Sequence, residues 1–220
     1  MKKYFITGSG TGVGKTFLLT NLCCSLITRG KSVMAVKPVI TGFSEENSDT
    51  GKIAESLGIK SLEKISPWRF AAPLSPDMAA RMESREIIFS EIIKFCRDAF
   101  TANKDFLFIE GIGGVMVPLN DGKTVLDLIV ELQIPVIFVM GTYLGAISHG
   151  LTALAALKNA KIPVAAVIVN ESREQAGETS EILKTLGNFI TEPIFFIGWE
   201  SIFSPPPFFK GEGQGGGQAA

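Results

Sequence analysis

A short apolar stretch at residues 4–7 runs straight into Gly8-Ser9-Gly10-Thr11-Gly12-Val13-Gly14-Lys15-Thr16, and an amphipathic run follows. Few folds tolerate four glycines between a strand and a helix unless the backbone must curl around something. Curled in this way, several N–H groups point inward at one anion, and the first turn of the next helix adds its positive dipole end. Lys15 is placed to reach the outer phosphates of a nucleoside triphosphate, and the Thr16 hydroxyl to meet a magnesium ion. The strict pattern puts glycine five residues before Gly14. Ser9 stands there instead, with Gly8 one residue earlier, so the loop is a lengthened variant.

Apolar runs of strand length recur at 33–36, 106–109, 136–140, 164–169 and 194–197, and 3.6-residue spacing predicts helices over 17–28, 85–100, 124–132, 149–159 and 177–186. Alternating strands and helices specify an α/β fold with a parallel sheet covered on both faces. Ligands of such sheets bind at the carboxyl ends of the strands. The polar residues standing there, besides the glycine loop, are Lys37, Glu110, Thr142 and Asn170.

At 220 residues the chain suits one domain over 1–202. The remainder, 203–220, carries Ser204-Pro205-Pro206-Pro207, Phe208-Phe209-Lys210 and a glycine/glutamine run. That composition cannot build a core and reads as a flexible tail. A formal net charge of −1 with no basic block argues against nucleic acid or an anionic membrane as partner. The longest apolar run, 134–147, is interrupted by Pro135, Gly141 and Gly145 and is too short to span a bilayer. Met1-Lys2-Lys3 leads directly into the first strand without a secretory core, so a cytoplasmic protein is expected. Cys23, Cys24 and Cys96 lack metal or redox spacing and read as reduced packing residues.

Glu110 closes the run Phe106-Leu107-Phe108-Ile109 and precedes Gly111-Ile112-Gly113-Gly114. In a phosphate-loop chain, an acid at that point is placed to serve the magnesium ion. Lys37 stands at the end of the second strand, before Pro38-Val39-Ile40-Thr41-Gly42. Spacing leaves open whether it is solvated or is a second cation at the γ-phosphate. Ser48 or Asp49, in Asn47-Ser48-Asp49-Thr50, reads as the N-cap of a following helix. His149, the single histidine, follows Ser148 directly; neighbours in a helix point apart, so the two form no nucleophile–base pair.

The ordered set Gly8-x-x-Thr11-x-Val13-Gly14-Lys15-Thr16, Lys37-Pro38-Val39-x-Thr41-Gly42 and Asn47-Ser48-Asp49 resembles the dethiobiotin synthetase family. So do Phe70-x-x-Pro73-x-Ser75-Pro76, Glu110-Gly111-x-Gly113-Gly114, Gly141-x-x-Leu144-Gly145-x-Ile147-x-His149 and the strand ending in Asn170. The resemblance implies a P-loop NTPase-like three-layer sandwich, with a mostly parallel central sheet flanked by helices. It implies the ATP- and magnesium-dependent carboxylation and ring closure of 7,8-diaminononanoate with CO2, through a carbamate and a carbamic–phosphoric anhydride. Lys15 and Lys37 would then be catalytic. Gly12, Val13, Gly14, Lys15, Thr16, Phe17, Asp49, Glu110, Gly113 and Asn170 would contact the nucleotide, Asn170 at the adenine edge. Thr16, Asp49 and Glu110 would hold the metal, a role for Asp49 that replaces capping. Thr11, Thr41, Gly113, Leu144 and Ser148 would contact the substrate, the last two where its tail reaches the partner of a homodimer.

The chain departs from the family pattern at Gly10 and Gly12, where relatives often carry polar or acidic residues, and after Gly198-Trp199-Glu200, where they continue with an adenine-contacting loop and a helix. Two other readings fit a phosphate loop. A nucleotide-switch ATPase of the deviant class would carry a signature lysine at position 10, which is glycine here. An inactive nucleotide-binding paralogue would have lost some of Lys15, Lys37, Asp49 and Glu110, and all four are present.

Overall fold

Period-two alternation of apolar side chains decides the architecture. In a computed structural model that describes residues 1–46 and 48–198, six parallel strands form one sheet. They are β1 (Lys2–Gly8), β2 (Val33–Val36), β5 (Phe106–Glu110), β8 (Val136–Met140), β9 (Val164–Asn170) and β10 (Ile194–Ile197), arranged β10-β9-β8-β1-β5-β2. Phe5, Leu107, Ile109, Phe138, Met140 and Val167 point to one face, and Ile6, Phe106, Phe108, Ile137, Val139 and Ile168 to the other. Strands apolar on both sides need cover on both sides, which helices supply.

On the second face lie α1 (Lys15–Thr28) and α2 (Asp49–Leu57). Leu18, Leu19, Leu22 and Leu26 of α1 and Ile53 and Ala54 of α2 are buried against the sheet. The first face is covered by α4 (Phe89–Ala99), α5 (Val125–Leu132), α6 (Ala146–Asn159) and α7 (Thr179–Gly187), through Ile92, Cys96, Leu128, Ile129, Leu154, Leu157, Ile182 and Leu186. Each fully buried Leu or Ile contributes roughly 1.5–3 kcal/mol of transfer free energy. The result is the helix–sheet–helix sandwich expected, and every strand pair of the main sheet is parallel.

The order of strands reverses at β1, whose neighbours are β5 on one side and β8 on the other. That reversal opens a crevice at the carboxyl end of β1, which is where the glycine loop emerges. Around it the chain adds pieces that sequence spacing does not announce. These are the ribbon of β3 (Val39–Ile40) with β4 (Trp68–Arg69), helix α3 (Pro76–Met82), and the antiparallel ribbon of β6 (Pro118–Asn120) with β7 (Lys123–Thr124).

All five expected helices form with shifted ends. The helix expected over 85–100 begins at Phe89, because Ser84 adopts φ 50° and the Asn120 side-chain amide donates to the Ile87 carbonyl, holding 84–88 out of the helix. The one expected from 149 begins at Ala146, and the one expected over 177–186 runs Thr179–Gly187. Among the described residues no helix is long and apolar enough to cross a membrane. The expected tail at 203–220, the 202 boundary, Trp199, Glu200 and Asn47 lie outside the described residues.

Candidate active site

The glycine loop is fixed from behind by the sheet. The Ser9 N–H donates to the Val139 carbonyl at 2.9 Å. A Cβ on Gly8 would fall 2.4 Å from that same carbonyl oxygen, which explains why glycine, and not Ser9, occupies the position where β1 hands over to the loop. The loop ends at Gly14, whose φ of 97° caps α1 in the left-handed region. No side chain caps this helix. Its first-turn N–H groups are therefore available to an anion.

Lys15 is buried, and its ammonium donates to the Gly10 carbonyl at 2.7 Å. Desolvation pushes its pKa down to about 8, against the opposing pull of Glu110. The β2 strand delivers Lys37 to the same place, 2.5 Å from Asp49 Oδ2, 2.6 Å from Glu110 Oε1 and 3.4 Å from Thr16 Oγ1. Burial by itself would lower the Lys37 pKa; the charges of Glu110 and Asp49 and their hydrogen bonds together outweigh it and hold the ammonium above the ordinary lysine value. Burial likewise opposes ionisation of Asp49, but Lys37 holds its carboxyl below the usual range. These five side chains, Thr16 included, come from four places: α1, the exit of β2, the start of α2 and the end of β5. Spacing left Lys37 undecided; the fold places it in the cluster.

Capping at α2 is now separable. Ser48 is the N-cap, its hydroxyl accepting from the Gly51 N–H at 3.2 Å. Asp49 is thereby freed to turn to Lys37. Glu110 is 1 % exposed, and its Oε1 accepts from the Thr16 hydroxyl at 2.7 Å. Its other oxygen, Oε2, is buried without a hydrogen-bond partner. An orphaned carboxylate oxygen beside a second carboxylate and a hydroxyl is a hard-oxygen donor set that fits magnesium, which fills its remaining positions with phosphate and water oxygens. The described residues hold no cluster of three or more His, Cys, Asp or Glu able to bind a metal, so protein alone does not complete such a site.

A cavity of about 1100 Å³ lies over this cluster and is lined by Thr11, Gly12, Gly14, Lys15, Thr16, Lys37, Asp49 and Glu110. Another part of its lining is apolar: Ile40, Pro73, Leu74, Pro76, Ile112, Val117 and Pro118, interrupted by Thr41, Ser75 and Gly113. The ribbons create this wall. The Gly42 N–H donates to the Ala72 carbonyl and the Phe43 N–H to the Phe70 carbonyl, which brings the Thr41 loop against the Pro73 loop. A third part runs between α1 and α2, with Phe17, Thr20 and Cys24 facing Lys52, Glu55 and Ser56.

Four of the expected site residues do not line the cavity. Val13 is buried beneath the loop. The Asn170 amide donates to the Val13 carbonyl at 3.2 Å and sits where a Gly14 Cβ would be, so it braces the loop. Leu144 and Ser148 lie on the exposed surface at the start of α6, Leu144 at 88 % exposure. Thr142, expected at the rim, is fully buried in a reciprocal pair with Ser172, each backbone N–H donating to the other's hydroxyl at 2.9 Å. Cys23 and Cys96 are packing residues whose thiols burial pushes up to about 12. Cys24, by contrast, is exposed to the cavity and corrects the packing reading. The apolar wall is the part that sequence reading missed; the short Pro73-Leu74-Ser75-Pro76 segment was its one visible trace.

Residues 2–194 match the family model described as an AAA domain. The ATP-dependent dethiobiotin synthetase BioD of Caulobacter sp. strain K31 is 42 % identical over 90 % of this chain and 87 % of its own length. That of Phenylobacterium zucineum strain HLK1 is 42 % identical over 79 % of this chain and 78 % of its own length. Among solved structures, the MinC:MinD cell division complex of Aquifex aeolicus aligns with a TM-score of 0.57 at 16 % identity, covering 91 % of this chain and 82 % of that one. That likeness is one of fold.

Proposed function

The chain belongs to the ATP-dependent dethiobiotin synthetases, and from that membership we propose how its cavity does the work. It is an ATP-dependent ligase of biotin biosynthesis that makes dethiobiotin. One amine of 7,8-diaminononanoate bonds to CO2 and loses a proton, giving a carbamate. A carbamate oxygen attacks the γ-phosphorus of ATP and ADP leaves. The second amine then attacks the carbamic carbon, phosphate departs, that amine loses its proton, and the ureido ring closes.

No covalent enzyme intermediate is required, so the side chains act by positioning and charge. The glycine loop and the uncapped turn of α1 hold the phosphates. Lys15 and Lys37 stand where negative charge gathers on the γ-phosphoryl group and the carbamate. Thr16, Asp49 and Glu110 would hold magnesium, which supplies charge neutralisation of the triphosphate. Thr11, Thr41 and Gly113 sit on the lining where the diamine end would lie, and the apolar wall suits the substrate's methylene chain.

One observation carries this reading: two lysines, two carboxylates and a hydroxyl from four separate elements converge under a cavity with an apolar wall. Leu144 and Ser148, exposed and away from the cavity, are assigned to a homodimer contact near the substrate's carboxylate tail. With unpaired cysteines, the chain is assigned to the cytoplasm.

The test is mass-spectrometric detection of dethiobiotin from purified protein, 7,8-diaminononanoate, bicarbonate, magnesium and ATP, with each component omitted in turn. Product that requires all of them is expected. Nucleotide binding without product would move the chain to the inactive-paralogue reading. Sedimentation of a fully active monomer would remove the homodimer.

A further inference from the structure

One pair of carboxylates has two claimants. Lys37 Nζ contacts Asp49 Oδ2, Glu110 Oε1 and, more weakly, Thr16 Oγ1. They belong to the side chains assigned above to magnesium, and the inference rests on that reading. Magnesium sits about 2.1 Å from its oxygen ligands. An ammonium 2.5 and 2.6 Å from one oxygen of each carboxylate would lie close to an ion held by the same two carboxylates. Two like charges that close repel each other strongly in a buried site.

Neither claimant is dispensable. Glu110 is buried, and a buried carboxylate stripped of its counter-charge is strongly destabilising. Glu110 also has an unused donor, Oε2, while Oε1 is spent on Lys37 and Thr16. Lysine suits an exchange of partners: it is a single charge on a flexible four-carbon stem with three rotatable donors.

We propose that Lys37 is the built-in counter-ion of Asp49 and Glu110, and that magnesium entering with the triphosphate displaces its ammonium onto the phosphate and carbamate oxygens. Lys37 is then delivered to the reacting groups by the event that loads the metal. Metal alone must evict the lysine without offering it a new partner; metal with nucleotide offers phosphate oxygens in return. Binding of the two is therefore strongly coupled.

The experiment uses Mn2+ as probe, followed by electron paramagnetic resonance on the full chain, with and without ADP. Wild type should bind Mn2+ weakly alone and tightly with ADP. Lys37→Gln frees the carboxylates, so Mn2+ alone should bind it at least about tenfold more tightly than wild type. Mg2+ alone should raise the melting temperature of Lys37→Gln by several degrees and leave wild type nearly unmoved. Should the variant fold only with Mg2+ present, that dependence is itself the expected result. A second measurement needs no variant. The 15N signal of the Lys37 ammonium in wild type should shift when Mg2+ and ADP bind together. Normal ADP-dependent Mn2+ binding in wild type, with no gain in Lys37→Gln or with an unmoved Lys37 signal, overturns the exchange alone. No ADP-dependent Mn2+ binding in wild type overturns the metal reading and the exchange with it.

Discussion

The charged floor of the cavity and its apolar wall are built by opposite means. Every floor residue sits at the end of a sheet strand or the start of a helix, and all are tied by hydrogen bonds to one another or to the loop. Wall residues come from two short ribbons and the turns beside them, held mostly by backbone hydrogen bonds between loops. The floor is thus a property of the sandwich, and a fold shared with MinD at 16 % identity can carry a comparable arrangement of elements. The wall is a property of the connections between the sheet strands. It follows that the floor should govern phosphoryl chemistry and the wall the choice of acceptor.

The largest effect should come from the floor. Lys37→Ala removes the ammonium proposed to meet the transferring group, so kcat should fall about 10²–10³-fold or more, with ATP still bound. Stopped-flow or rapid-quench turnover beside nucleotide titration separates the two. Undiminished turnover would strike Lys37 from the chemistry. Next comes Gly14→Ala, which combines a left-handed φ with a Cβ 2.3 Å from the Asn170 amide nitrogen. That strain, roughly 1–3 kcal/mol, should appear as a fivefold or greater loss of ATP affinity by calorimetry (about 1 kcal/mol or more). Asn170→Ala in the same chain should recover part of it by removing the clash. No recovery would mean that the backbone angle alone is responsible.

The wall should answer differently. Leu74→Ser takes an apolar side chain off the lining while leaving every floor hydrogen bond in place. KM for the diamine should rise several-fold, about 1 kcal/mol, while kcat and the ATP KM stay near wild type. A fall in kcat equal to the loss in kcat/KM would break the division of labour between the two regions.

The same contrast sets how much was readable in advance. The glycine loop, six strands of the sheet and Glu110 at a strand end are contiguous signals, and each lies in the fold where spacing puts it. Lys37 and Asp49 were ambiguous because their meaning depends on neighbours remote in sequence: Glu110 is 73 residues from Lys37. The resemblance resolved them; local pattern did not. The wall was invisible because its strands are two or three residues long, too short for a period to register. Asn170 shows a further limit: a polar strand end could face the crevice or turn back on the loop, and only the packing at Gly14 reveals the second.

The smallest effect tests how the wall is anchored. The β6–β7 ribbon, which carries Pro118 into the lining, runs directly into α5 through Thr124. Thr124 and Asp127 form a capping box: the Thr124 hydroxyl accepts from the Asp127 N–H, and the Asp127 carboxylate accepts from the Thr124 N–H at 2.8 Å. The hydrogen bonds from Thr124, side chain first and backbone second, hold the Asp127 carboxyl below its ordinary pKa. A depressed carboxyl stabilises the fold above its unfolded value, about 3.9, and that contribution is lost as the pH falls through the lower folded value. Solvent screens a carboxylate with 38 % of its side chain exposed, so Asp127→Asn should cost no more than about 1 kcal/mol in urea unfolding at pH 7. The gap to wild type should narrow below about pH 4 as the native carboxyl protonates. Diamine KM should rise slightly with ATP binding unchanged. A variant that instead lost ATP affinity would show that the ribbon supports the floor as well, and the two regions would have to be treated as one.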